Sequence, residues 1–146
     1  MLNEFLDNRD KKQPNHTEIV NLTHLAEKLS EFRSIIGRMD ITSGYRSIEW
    51  NSNPIVGGSK NSYHIKGLAV DFERKNSKGK EDWSNWTPES LIAVANYLGF
   101  GNIGVYINRN TKAILFVHLD LGKPWDNGYY DWIRYSDTMS FKIIER

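Results

Sequence analysis

Two stretches of the chain are the most informative: Ser62-Tyr63-His64-Ile65-Lys66-Gly67-Leu68-Ala69-Val70-Asp71 and Phe116-Val117-His118-Leu119-Asp120. They hold two of the four histidines in the sequence. In both, histidine and aspartate stand among apolar residues, where polar side chains are costly to bury unless something satisfies them. A catalytic zinc takes three protein ligands from His, Asp, Glu or Cys and leaves one position open for water. Two histidines and an aspartate supply that set, so the two stretches predict a zinc site.

The spacing inside the second stretch supports this prediction. His118 and Asp120 are two residues apart on a predicted strand, so their side chains point to the same face and could both reach one metal. Asp71 is a single carboxylate within an apolar segment. Taken singly, each residue has a structural alternative, a satisfied core histidine or a turn-capping aspartate. Taken together, they favour a functional site.

The remainder of the sequence predicts an α+β fold. Apolar residues at three- and four-residue steps predict an amphipathic helix over 17–36, which Gly37 is expected to end. A second helix is expected to begin with Thr87 as cap and Pro88 as its first residue, and to run to Gly99. Both apolar helix faces should pack on a sheet. Its strands are predicted at 39–42, 67–72, 103–107 and 113–119, with a loop at 51–61 and an edge strand in the aromatic tail 129–144.

Composition limits the class of function. A chain of 146 residues predicts one domain over 1–146, expected to be a monomer. The net charge of +1 gives no basic surface for nucleic acid, and the lack of cysteine excludes a thiol nucleophile. No run approaches the roughly 18 apolar residues of a membrane span, and residues 1–12 do not resemble a secretory signal. We therefore expect cytoplasmic synthesis without a signal peptide and no membrane insertion.

Four segments closely resemble the zinc peptidases of the D-alanyl-D-alanine carboxypeptidase family, in its branch of small phage and bacterial peptidoglycan peptidases. They are Ser43-Gly44-Tyr45-Arg46-Ser47, Val56-Gly57-Gly58-Ser59, Ser62-x-His64-x-x-Gly67-x-Ala69-x-Asp71 and Phe116-Val117-His118-x-Asp120-x-Gly122. The resemblance is strongest over residues 22–122. It implies the fold that this family shares with Hedgehog signalling domains: a small antiparallel sheet, helices packed on one face and a zinc cleft on the sheet.

The resemblance also implies roles for individual residues. His64, Asp71 and His118 would ligate one zinc ion. Arg46 would bind a substrate carboxylate or main-chain carbonyl near the scissile bond, and its guanidinium fork also suits a developing oxyanion. Ser62 would hydrogen-bond the substrate or a ligand.

Further residues are expected to shape the cleft. Trp50 follows Arg46 on the same loop and is the tryptophan best placed to touch substrate, although tryptophans are more often packing residues. Gly67 and Ala69 would leave the approach to the metal uncrowded. His16 and His24 belong to the first predicted helix and its start, where we expect structural or solvent-facing roles.

The sequence leaves several candidates for the general base. Some branches of the family carry an acid three residues before the last zinc histidine, but here that position is Leu115, which cannot accept a proton. Asp120 is then the leading candidate for the base, because it shares a strand face with His118. Glu73 and Glu49 are weaker candidates. In a rival assignment, by analogy with branches that carry a His-x-His pair, Asp120 binds the zinc and His118 acts as base or stabiliser.

The resemblance implies hydrolysis of an amide bond in the D-amino-acid-containing stem peptide or cross-link of peptidoglycan, without a covalent enzyme intermediate. An enzyme of this kind would act on the cell wall once released, as a phage or prophage lysin or a virion enzyme. A non-catalytic zinc module of the cell wall or virion is one alternative. An intracellular D-Ala-D-Ala dipeptidase is another. Arg46 and Asp120 argue against the first, since a purely structural site needs neither an anion clamp nor an uncommitted acid.

Overall fold

The computed structural model describes residues 5, 11–56, 58, 61–83, 85–122, 130–135 and 141–145. Its elements confirm the α+β class and match most predicted segments within one or two residues. The sequence did not predict the short helix α2 (Ile48–Asn51), which ends where the predicted loop at 51–61 begins, or the 3-10 helix (Tyr63–Lys66), which follows that loop. In chain order the elements are α1 (His16–Ile36), β1 (Asp40–Ser43), α2 (Ile48–Asn51), a 3-10 helix (Tyr63–Lys66), β2 (Ala69–Glu73), α3 (Pro88–Tyr97), β3 (Asn102–Ile107), β4 (Ile114–Asp120), β5 (Tyr130–Tyr135) and β6 (Phe141–Glu145).

Local sequence explains where the two long helices begin and end. Asn15 and Glu18 form a capping box at the start of α1, and Gly37 ends the helix at φ +85°, a left-handed conformation that favours glycine. Thr87 and Ser90 cap α3 in the same reciprocal way, with Pro88 as its first residue, as predicted. The buried stripe of α1 runs from Leu22 to Ile36. Ile19 and Val20, which fit the predicted stripe, are 44% and 53% exposed.

The described strands form one sheet in the order β1-β2-β4-β3-β5-β6. Strands β1, β2, β4 and β3 pair antiparallel, as predicted. The aromatic tail, predicted to add an edge strand, adds the two strands β5 and β6. Strand β5 runs parallel to β3, while β6 pairs antiparallel with β5. Because β5 skips past β4 to pair with β3, neither the direction nor the number of tail strands could be read from local patterns.

The two faces of the sheet have opposite character because side chains alternate along each strand. One face is apolar, and both long helices contribute to the core against it. Phe32 of α1 makes edge-to-face contacts with Phe72 of β2 and with Phe100, at 5.9 and 5.8 Å between ring centroids. This confirms the prediction of helices packed on one face. The core side chains of the central strands are Val70, Phe72, Ile103, Val105, Val117 and Leu119.

The other face carries the polar residues of the two motifs. Asp71 of β2 and His118 and Asp120 of β4 alternate with the core residues, so they project on the side away from α1 and α3. Among the described residues, no helix has the length and apolar character needed to cross a membrane.

Gly67 fixes the junction between the 3-10 helix and β2, and we expect its replacement by alanine to destabilise the protein. Its φ is +71°, and a Cβ there would lie 2.7 Å from the carbonyl oxygen of Glu18 and 3.0 Å from Leu22. The left-handed conformation alone costs a non-glycine residue about 1–2 kcal/mol. Since α1 must also shift, Gly67→Ala should lower the free energy of unfolding in urea by more than that amount.

Gly99→Ala is the matched control for this prediction. Gly99 has φ +80°, but no described atom lies within 4 Å of a Cβ built there. Its replacement should therefore show the backbone cost alone. Equal losses for the two variants would contradict the close approach of α1 to Gly67.

Candidate metal centre

Strand pairing and the 3-10 helix bring three of the predicted residues together. Asp71 and His118 are direct neighbours on β2 and β4, and His118 Nδ1 lies 3.0 Å from Asp71 Oδ1. The 3-10 helix delivers His64 from the side, with its Nε2 3.4 Å from Asp71 Oδ2. Ser62 begins that helix, and its Oγ accepts a hydrogen bond from the His64 backbone N–H at 3.2 Å. The segment from Ser62 to Asp71 thus folds so that His64 faces Asp71.

The donor atoms of this trio lie close enough together to share one metal ion. Within the part of the chain that the structure describes, His64, Asp71 and His118 form a group that could hold a metal ion, with one donor atom from each within 4.8 Å of the others. Ligands bound to zinc at about 2.0–2.2 Å in a tetrahedron lie about 3.3–3.6 Å apart. The closest contacts of 3.0 and 3.4 Å are near that range. Two imidazoles and one carboxylate are also a ligand set typical of catalytic zinc.

His64 is held so that one ring nitrogen faces the other two residues. Its Nδ1 lies 2.8 Å from the Gly44 carbonyl oxygen, which can only accept, so Nδ1 carries a proton and Nε2 is the nitrogen that faces Asp71. The Arg46 backbone N–H donates to the His64 carbonyl at 3.1 Å. The imidazole is 3% exposed and makes an edge contact with the ring of His118. A hydrogen bond from one ring nitrogen, such as the bond from His64 Nδ1 to Gly44, is the usual way in which metal-binding histidines are oriented.

His118 lies between two carboxylates. Its Nδ1 faces Asp71 at 3.0 Å and its Nε2 faces Asp120 at 2.8 Å. Burial disfavours the charged imidazole, but hydrogen bonds to Asp120 and Asp71 outweigh burial and raise the pKa of His118 to about 9. Burial likewise opposes the charge of Asp71, yet His64 and His118 hold the pKa of that carboxyl below its usual range. Without a metal, the site is therefore organised around a protonated His118.

The raised pKa of His118 predicts how stability depends on pH in protein stripped of metal. A group with a folded-state pKa of about 9 and an ordinary value of 6.5 stabilises the fold fully below pH 6.5. This contribution is lost as the pH rises through 9 and is on the order of 3 kcal/mol. Urea unfolding of chelator-treated protein should thus show lower stability at pH 9.5 than at pH 6. A His118→Gln variant should lack this dependence, and a wild-type stability that stays flat or rises would contradict it.

Asp120 lies behind His118 rather than beside the donor trio. It is 2% exposed, and both its oxygens are engaged. Oδ2 pairs with His118 Nε2, while Oδ1 accepts from the Asn102 side chain at 2.7 Å and from the Gly122 backbone N–H at 2.9 Å. The sequence did not indicate Asn102, because asparagine at the start of a strand is typically read as a turn residue.

Arg46 lies on the other side of Asp71 and is held by three side chains. Its Nη2 contacts Asp71 Oδ2 at 3.2 Å, its Nε contacts Ser43 Oγ at 3.1 Å, and its Nη1 contacts Asn51 Oδ1 at 3.4 Å. Burial lowers the pKa of Arg46, while the charge of Asp71 opposes that change. An arginine remains cationic under such conditions. A fixed positive charge therefore stands next to the donor trio.

The sequence did not indicate Asn51 and Tyr106 as part of this site. Asn51 is 2% exposed, and a Cβ on Gly58 would lie 2.0 Å from its Oδ1. The lack of a side chain at Gly58 thus allows the loop to close over Asn51. Tyr106 also belongs to this polar face, where its ring stacks on Phe116 at 4.2 Å. A tyrosine within an apolar strand gives no sequence signal that distinguishes a site residue from a core residue.

The other predicted residues have clear positions. Trp50 is half-buried on α2, which contacts the 3-10 helix. Glu49 is an exposed partner of Lys12 at 2.6 Å, and Glu73 pairs with Lys75 at 2.8 Å.

Gly67 and Ala69 were expected to leave space for the metal. Gly67 instead permits close contact with α1. Ala69 is fully buried opposite Asp120, where its small side chain fits the β2–β4 pairing. His24 is exposed on α1, 3.9 Å from Glu27 and remote from the trio in sequence.

A comparison with known families gives a match over most of the chain. Residues 3–120 match the family model described as Peptidase M15. The match contains both motifs and all of the trio. No curated protein matches the chain.

Proposed function

Because the chain belongs to the Peptidase M15 family, a family of zinc metallopeptidases, we propose that it hydrolyses an amide bond in peptidoglycan. The substrate class would be the D-amino-acid-containing stem peptide or cross-link. The observation that carries this proposal is the position of His64, Asp71 and His118, with donor atoms within 4.8 Å and an arginine bound to the same carboxylate. The resemblance to small phage and bacterial peptidoglycan peptidases further supports a lysin-type enzyme that acts as one domain.

The three residues would hold one zinc ion through defined atoms. His64 would bind through Nε2 because its Nδ1 is committed to the Gly44 carbonyl. His118 would bind through Nδ1 because its Nε2 is committed to Asp120. Zinc bound there would activate a water molecule and polarise the scissile carbonyl. In this assignment Asp120 is not a ligand, unlike in the rival assignment considered from the sequence.

Arg46 supplies the positive charge for substrate. Its guanidinium is 16% exposed and fixed by Ser43, Asn51 and Asp71, so it needs little reorganisation when a negative charge arrives. Planar paired donors suit a terminal carboxylate or the anion that develops on a carbonyl oxygen. We propose that Arg46 binds the substrate at that point. Trp50 on the adjacent α2 would contribute an aromatic surface to the same end of the cleft.

We propose a different role for Asp120 from the general base expected from the sequence. A base must reach the proton that it removes. The carboxylate oxygens of Asp120 already contact His118, Asn102 and Gly122, and the His118 ring lies between Asp120 and Asp71. Asp120 would therefore orient His118 and increase its basicity as a ligand. Ser62 would also position a ligand indirectly, because it caps the 3-10 helix and its Oγ binds the His64 backbone N–H.

Asp120→Asn separates the two roles. If Asp120 orients His118, the variant should bind zinc about 10–100-fold more weakly. At saturating zinc its kcat should then fall by less than the 10²–10⁴-fold that general acid–base catalysis typically contributes. Competition with a chelating dye would give zinc affinity, and hydrolysis of a cross-linked fragment would give kcat. Asp40→Asn, on the edge strand β1, is the control. Unchanged zinc affinity with a kcat loss of 10²-fold or more would instead support a base role.

The experiment for the function itself uses purified peptidoglycan fragments, both cross-linked and uncross-linked. The protein is incubated with zinc, with a chelator, and with chelator followed by excess zinc, and products are identified by mass spectrometry. Products that disappear with chelator and return with zinc support the proposal. Free D-alanine would identify a carboxypeptidase, and separated cross-links an endopeptidase. No products from a folded, zinc-bearing protein would favour a non-catalytic wall-binding module.

A further inference from the structure

Asn102 is a buried amide directly opposite Asp120 in the sheet. The two residues are register partners on β3 and β4 and are 1% and 2% exposed. Asn102 Nδ2 donates to Asp120 Oδ1 at 2.7 Å, the shortest contact of that carboxylate. This short, charge-assisted hydrogen bond joins the start of β3 to the end of β4 at the edge of the site.

The orientation of the Asn102 amide is set by the carboxylate. A flipped amide would place two oxygens against each other, so the NH₂ group must face Asp120. In the described residues, the other end of this amide, Oδ1, is a buried side-chain atom without a hydrogen-bond partner. An unsatisfied buried acceptor is destabilising. The amide thus leaves one buried acceptor unsatisfied, and the hydrogen bond that it makes is directed at the buried Asp120 carboxylate.

The contacts of Asp120 suggest what the amide accomplishes. Asn102 and the Gly122 N–H both bind Oδ1, which leaves Oδ2 to His118 Nε2 at 2.8 Å. Fixing Oδ1 sets the rotation of the carboxylate and so the direction of the His118 ring. On the far side of that ring, Nδ1 faces Asp71. A continuous chain of hydrogen bonds thus runs from Asn102 through Asp120 and His118 to Asp71.

We infer that Asn102 is a positioning residue, which acts through Asp120 to aim His118 Nδ1 at the metal and so sets the metal affinity of the site. This inference rests on the proposed zinc site. It goes beyond it because Asn102 contacts none of the three proposed ligands in the hydrogen bonds that the structure gives. The effect of the amide must therefore pass through the Asp120 carboxylate, which makes the two residues energetically coupled.

A double-mutant cycle with zinc alone as the probe tests this coupling. Zinc dissociation constants are measured by chelator competition for wild type, Asn102→Leu, Asp120→Ala and the double variant. Cobalt(II) absorption serves as a second readout of coordination. Asn102→Leu should weaken binding about tenfold in wild type. In the Asp120→Ala background the same change should weaken binding by less than about twofold, because the acceptor through which Asn102 acts is gone.

Val105→Ala is the matched control for lost stability, since Val105 lies on the same strand and faces the core. It should lower thermal stability without altering zinc affinity. If Asn102→Leu does not fold, the smaller Asn102→Ala variant, which also lacks the donor, replaces it in the cycle. Equal losses in both backgrounds, or no loss in wild type, would overturn the inference while leaving the zinc site intact. Wild-type protein that binds no zinc would overturn the proposed function and this inference together.

Discussion

The His64→Ala variant should lose zinc binding by more than about 100-fold and lose peptidoglycan hydrolysis with it. Removing an outer-shell partner of a ligand typically costs 10–100-fold in metal affinity, and removing a ligand itself costs more. His64 is 3% exposed, and its Nε2 lies 3.4 Å from Asp71 Oδ2. Two protein ligands would remain, one fewer than a catalytic zinc site uses.

Zinc content and hydrolysis are measured for this variant beside His24→Ala. His24 is an exposed histidine of α1 with 63% of its side chain accessible, so its loss should change neither quantity. Thermal unfolding reports whether each variant is folded. A folded His64→Ala protein that binds zinc as tightly as wild type would contradict the ligand assignment.

The second large effect is expected for Arg46→Lys. This change keeps the positive charge but removes the planar fork that contacts Ser43, Asn51 and Asp71 together. A lysine ammonium cannot hold the same geometry, so the charge would no longer be fixed where substrate charge develops. Loss of one preorganised donor of this kind typically lowers kcat by 10²–10³-fold. We expect a loss of that size in kcat/KM, with zinc content close to that of wild type.

Arg38→Lys is the control for this substitution. Arg38 forms a comparable pair with Asp40 at 3.0 Å, but its side chain is 57% exposed, and surface pairs contribute little. Steady-state kinetics on a defined stem peptide should therefore show no change for Arg38→Lys. A kcat/KM within twofold of wild type for Arg46→Lys would show that its charge alone is enough, contrary to the fixed-fork role.

Much of the fold could be predicted because its signals are local. The capping residues of α1 and α3 and the alternation of Asp71 and His118 with buried neighbours each act within a few positions. The pairing of β5 with β3 joins elements that are more than 20 positions apart in sequence. Such pairing depends on which edge of the sheet is open once the other strands are in place, and periodicity does not contain that information.

The candidate site, like the fold, could be predicted where the signal is local and not where it depends on distant residues. Residue types and spacing pointed to a zinc site, because histidine and aspartate among apolar strand residues need a partner, and the family resemblance selected the trio. The proposed role of Asp120 rests on contacts from Asn102 and Gly122, which come from another strand and from the segment just after β4. Position on a shared strand face could not distinguish a residue in front of His118 from one behind it. The hydrogen-bond partners of each oxygen make that distinction.

The most direct test of the account is diffraction from crystals of the zinc-loaded protein at the zinc absorption edge. We predict one anomalous peak about 2.0–2.2 Å from each of three atoms: His64 Nε2, an Asp71 carboxylate oxygen and His118 Nδ1. Asp120 should remain hydrogen-bonded to His118 Nε2. A peak coordinated by Asp120 in place of His118, or no peak among these residues in zinc-loaded crystals, would contradict the assignment of His64, Asp71 and His118 as ligands.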